Sequence, residues 1–158
     1  SKNRKDGKWP CDIINYHHYS NTGNKLKQYP PQWKDNGACL PADDDNFVSV
    51  RNIVYGANFA GKKVFITEIG ADTVAPSMML AKGVGKTNED FQAEIITESL
   101  KAYQAAGVDA VFIFTAHDDY GAADGGQFET CGLWTSQATG YKPKPSSKAV
   151  QSFIKGLK

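Results

Sequence analysis

The sequence lacks any apolar run near the roughly 18 residues that a membrane-crossing helix needs, so no such helix is read in it. It also lacks a surplus of charge. A formal net charge of +1 over 158 residues argues against a general nucleic-acid or membrane-surface binder. Cysteine is scarce and odd in number: Cys11, Cys39 and Cys131. Their spacing suits no zinc motif. One disulfide in an exported protein and three thiols are equally open readings. The first residues, Ser1 to Lys8, carry no apolar signal region, and read as the middle of a longer chain or a processed start. An apolar share of 41% is ordinary. It allows one domain over residues 1–158 with a core of its own.

What is present centres on Lys63-Val64-Phe65-Ile66-Thr67-Glu68-Ile69-Gly70. A β-branched and aromatic run reads as a buried strand. It stops on a carboxylate and a glycine. A Glu at the tip of a buried strand is costly to place without a purpose. In a parallel α/β sheet, that tip is where ligands bind. The competing reading of Glu68 is a strand-end ion pair with a lysine.

The rest of the chain builds units around this strand. Cys11 to His17 reads as a short buried strand leading into His18, Tyr19 and Ser20. Residues 20–43 read as a long loop with Trp33 and the Pro30-Pro31 pair, a length more often functional than idle. Asp43, Asp44, Asp45 and Asn46 offer caps for a helix whose apolar face is Phe47, Val50, Val54 and Ala57. Gly61 ends it. Thr87 and Asp90 form a variant capping box. Ala93, Ile96, Leu100 and Tyr103 make the next stripe, and Gly107 closes that helix. Val111 to Thr115 is a third buried strand. Ala149, Val150, Phe153 and Ile154 mark a last helix, with Ser146 as its cap.

The order is β-α-β-α-β-α, an α/β class. Strands that are continuous apolar runs, not alternating ones, imply a parallel sheet covered on both faces. Loops after strands are long, and those after helices are short. That asymmetry puts elaboration on one face, as in a (β/α) enzyme.

Asp12-Ile13-Ile14-Asn15-Tyr16-His17-His18-Tyr19, then Thr67-Glu68-Ile69-Gly70, then Gly132-Leu133-Trp134 with Lys142-Pro143-Lys144-Pro145-Ser146, occur in a telling order. In that order the chain resembles the last three βα units of a (β/α)8 TIM-barrel glycoside hydrolase. The family resembled is the retaining clan with two catalytic glutamates, in its family-39-like or family-5-like branches. The resemblance covers nearly the whole chain. It implies a partial barrel, because a closed one needs about 250 residues and eight strands. It implies a retaining O-glycoside hydrolase acting on a β-linked poly- or oligosaccharide, with Glu68 as nucleophile. The acid/base Glu should follow an Asn at the end of the fourth strand, which is absent. Asn88-Glu89 falls instead in the first turn of a helix, where the helix dipole favours Glu. The fragment alone is expected to be inactive.

Retention needs two carboxyl groups about 5–5.5 Å apart. The nucleophile must be ionised, and this requires hydrogen-bond donors beside it. His17 and Tyr19 share a strand face and can serve Glu68 or sugar hydroxyls. His18 points to the other face unless a bulge intervenes. Asp72, His117 and Asp118 sit at strand ends and are candidate sugar ligands, although loop-capping is an equal reading for the Asp residues. Trp33 is a candidate stacking platform, and Trp134 reads as structural. A metal site built from His17, His18, His117, Asp118 and Asp119 is disfavoured, because adjacent strand His residues diverge. No cofactor is expected. Partners are the carbohydrate and the rest of the barrel, from the same gene or another chain, or a second copy. The alternative function is a non-catalytic sugar-binding half barrel or pseudoenzyme. An open flavodoxin-like domain ranks last, because no Gly-rich phosphate loop follows the first strand. Extracellular or periplasmic placement is expected.

Overall fold

The computed structural model describes residues 11–17, 53–73, 87–119 and 129–157. Three strands form one parallel sheet: β1 (Ile13–His17), β2 (Lys63–Ile69) and β3 (Ala110–Ile113), in the order β1-β2-β3. Helical residues 53–59 (α1) lie between β1 and β2, and α2 (Asn88–Ala106) lies between β2 and β3. After β3 come a short 3-10 helix, Gln137–Thr139, and α3 (Pro145–Lys155). The α/β reading and the βα order therefore hold. His18, Tyr19, Trp33 and the Asp43 to Val50 cap and stripe lie outside the described residues.

The core forms where helix stripes meet one face of the sheet. Val64, Ile66 and Ile69 of β2 pack with Val54 and Ala57 of α1, Ile96, Leu100 and Tyr103 of α2, and Val150 of α3. The 3.6-residue period places the α2 residues on one side. Thr87 accepts a hydrogen bond from the Asp90 amide, and the Asp90 side chain bonds the Thr87 amide. This is the capping box expected from the sequence. Gly61 and Gly107 take left-handed conformations, φ 67 and 82, where the chain leaves a helix for the next strand, a turn that glycine makes at little steric cost. Asp109 ties that second turn to the sheet, its Oδ2 accepting from the Val64 amide at 2.8 Å.

Two expectations are corrected. The apolar runs implied cover on both faces, yet the described residues cover only one. Ile13, Phe112 and Phe114 remain exposed, Phe112 at 53%. Among the described residues β1 is accordingly a half-exposed strand at the end of the sheet and not a buried one. Ser146 is not the cap of the last helix. Lys144 holds that position in extended conformation and Pro145 is the first helical residue, where its fixed φ and missing N–H cost nothing. Ser146 is instead buried, donating to Gln92 Oε1 at 2.8 Å. Trp134 is half-buried against the core, as read.

Candidate active site

Strand parity sets the site. Val64 and Ile66 point into the helix-covered core. Simple alternation would send Glu68 after them. The register prevents this. On one side Tyr16 pairs with Ile66 but His17 pairs with Glu68. On the other Val111 pairs with Ile66 but Ile113 pairs with Ile69. Relative to both neighbours β2 carries one extra residue between Ile66 and Ile69, a bulge. The bulge returns Ile69 to the core and turns Glu68 to the open face at the C-terminal end of the sheet. There His17 Nδ1 lies 2.9 Å from Glu68 Oε2. The Glu68 side chain keeps 21% of its exposure and that of His17 keeps 62%. The carboxylate is thus partly sheltered and still open to a ligand. With a proton on Nδ1, His17 donates to it.

Close backbone approach fixes the rim beside Glu68. Gly70 stands so near Phe114 that an added Cβ would meet the Phe114 carbonyl oxygen at 2.4 Å. The Phe114 amide donates to Ile69 O at 2.6 Å, which brings the end of β3 alongside the Glu68 strand end. The Phe114–Thr115 peptide bond is cis. Beyond it the chain runs parallel to Gly132-Leu133-Trp134, with His117 bridging Trp134. Gly132 is required there: its Cβ would fall 2.3 Å from the Asp118 nitrogen.

A buried polar network underlies this rim. Lys144 is 2% exposed. Its Nζ donates to Asp118 Oδ1 at 2.7 Å and to Thr130 O at 3.0 Å. Asp118 Oδ1 also accepts from the Gly132 amide at 2.9 Å. The Thr130 hydroxyl donates to Asp72 and accepts from the Thr73 amide at 3.1 Å. Gln92 of α2, fully buried, reaches Ala71 O, Thr130 O and Gly132 O. The loops after β2 and β3 are therefore fastened to both α2 and α3. Cys131 is 1% exposed in their midst. Burial pushes its thiol up from 9.0 to about 12, with Asp72 the next cause; Asp118 and Glu68 add to this and Lys144 opposes it.

The structure thus joins Glu68 with His17 directly, and gathers Asp72 and Asp118 about the neighbouring network. The contacts of Asp118 are internal ones, to Lys144 and Gly132. His117 is exposed, further along the same rim. The sequence does not announce this network, in which Lys144 and Gln92 are the central side chains. A buried amide and a buried amine inside polar stretches leave no periodic signature. Cys11 and Cys131 are free thiols. Asn88 and Glu89 lie in the first turn of α2, with Asn88 donating to Thr73 O at 2.7 Å. Among the described residues no cluster of three or more His, Cys, Asp or Glu could hold a metal ion.

No family model matches the chain, and no curated protein does. Among solved structures the chain is similar to a beta-glucuronidase of an uncultured Clostridium sp., at 22% identity and a TM-score of 0.55. The match covers 92% of this chain and 23% of that chain. The likeness is one of fold, a parallel sheet with helices between its strands, as in part of a TIM barrel, and the chain spans less than a quarter of the protein it matches.

Proposed function

We propose that this chain carries the nucleophile of a retaining O-glycoside hydrolase acting on a β-linked poly- or oligosaccharide. The carrying observation is Glu68, turned by a strand bulge to the open C-terminal end of a parallel sheet and bonded there by His17 at 2.9 Å. In this reading the Glu68 carboxylate attacks the anomeric carbon. The bond to the leaving oxygen breaks as an ester to the enzyme forms. Water then cleaves the ester and restores the carboxylate. His17 holds the carboxylate aimed. The proton for the leaving group comes from a second carboxyl group about 5–5.5 Å away, supplied by sequence outside this chain. Its partners are the sugar and the remaining strands of a barrel.

The test is hydrolysis by the protein that contains this chain, on a panel of aryl β-glycosides. β-Glucuronides belong in the panel because the structural neighbour is named a beta-glucuronidase. Glu68→Gln should lower kcat by roughly a thousandfold or more, as removal of a nucleophile does. A variant that hydrolyses at the parental rate ends the assignment.

A further inference from the structure

Past the end of β3, two rings face solvent with their orientations fixed. His117 Nδ1 lies 2.9 Å from the carbonyl oxygen of Asp118. With the proton on Nδ1 this is a donated bond, and it leaves Nε2 as an acceptor. The carbonyl is anchored in turn, because the Asp118 side chain is buried against Lys144 and Gly132. The His117 ring meets that of Tyr141 edge to face, centroids 5.2 Å apart and planes at 67°, an attractive arrangement. Tyr141 remains 47% exposed.

Tyr141 is a costly residue for its position. Its φ is 52, and it is the only non-glycine with positive φ among the described residues. In that left-handed region a side chain crowds the following carbonyl, whereas Gly and Asn are accommodated more readily. A turn serving only to reverse the chain after Gly140 would be cheaper with either. The ring does not offset this in the core, for it is half in solvent against His117. An exposed aromatic kept on a strained backbone is a mark of a functional position.

Resting on the glycosidase reading, we infer that His117 and Tyr141 form an outer carbohydrate platform on the rim that carries Glu68. It takes a pyranose unit of a β-linked oligosaccharide, away from the bond being cleaved. The placement follows from the chain. Phe114 is bonded to Ile69, next to Glu68, and three residues further on stands His117, at most about 11 Å of extended chain away. The exposed Tyr141 ring offers a flat apolar surface for sugar C–H groups. His117 Nε2 accepts from a sugar hydroxyl, which has both donor and acceptor capacity. One aromatic surface with one fixed polar group is the mixture that orients a ligand.

The experiment is calorimetric titration of the protein that contains this chain, carrying Glu68→Gln, which blocks turnover, with cellotetraose, xylotetraose and laminaritetraose. At least one should bind at millimolar concentration. Adding Tyr141→Asn should weaken it roughly tenfold, the loss typical of an aromatic anchor. The melting temperature should stay level or rise, because Asn accepts the turn. Tyr141→Phe keeps the ring and should bind within about twofold of its parent. His117→Ala provides a second variant that leaves the turn untouched and should also weaken binding. In the active protein Tyr141→Asn raises KM and spares kcat, whereas Glu68→Gln removes kcat, so failure of the platform and failure of the nucleophile assignment are distinguishable. The platform is overturned if none of the three oligosaccharides binds, or if the Tyr141→Asn and His117→Ala proteins bind as their parent does.

Discussion

Single side chains decide most of what this rim can do. Lys144 is the clearest case, since its ammonium is buried and bonded to the Asp118 carboxylate at 2.7 Å. Removing one member of such a pair strands the other charge, at a cost of about 3–5 kcal/mol. Lys144→Met should therefore lower the unfolding free energy by about that much in urea titration, whereas Lys144→Met combined with Asp118→Leu should recover most of it. Equal losses in single and double variants would mean the pair is not coupled. Cys131 makes a second prediction. Its thiol is held up to about 12 in the folded chain against 9.0 ordinarily, so above pH 9 the unfolded chain sheds this proton first. The Cys131 contribution is whole below pH 9 and drains away as pH rises towards 12, by at most about 1.4 kcal/mol per pH unit. Cys131→Ala should flatten that alkaline decline, measured as stability against pH. The place of Glu68 at a strand end is legible in the sequence, because the apolar run stops there on a carboxylate and a glycine. The Lys144 network is not, because nothing in Lys-Pro-Lys-Pro says which lysine is buried.

At the level of elements, the helices were read well and the strands less so. Ile96, Leu100 and Tyr103 recur at helical spacing, and all three are buried on α2. Thr87 and Asp90 cap that helix as their spacing requires. The bulge in β2 was beyond reach, although it determines which face Glu68 occupies. A bulge is a matter of register between strands, and no residue of Ile66-Thr67-Glu68-Ile69 announces it. Nor could spacing reveal how closely the Gly132 segment approaches His117 and Asp118. That approach leaves no room for a methyl group. Gly132→Ala should push the two segments apart and cost about 3 kcal/mol, as overpacking does, read as a lower midpoint in thermal or urea unfolding. An unchanged midpoint would show that the two segments are less tightly joined than described.

At the scale of the whole sheet, the same strands carry one covered and one open face among the described residues. Their apolar runs prepare them for cover on both sides, yet Ile13, Phe112 and Phe114 face outward. The similarity spans 23% of a longer TIM-barrel glycosidase, and an open face of this kind suits a barrel interior. The central claim, that Glu68 becomes covalently bonded to sugar, can be seen directly. A 2-deoxy-2-fluoro β-glycoside with a good leaving group slows the second step of a retaining hydrolase more than the first, so the ester accumulates. Incubated with the protein that contains this chain and followed by peptide mass mapping, it should leave one fluoroglycosyl group on the peptide bearing Glu68 and none after Glu68→Gln. A label on another carboxylate, or steady turnover with no label at Glu68, would contradict the account.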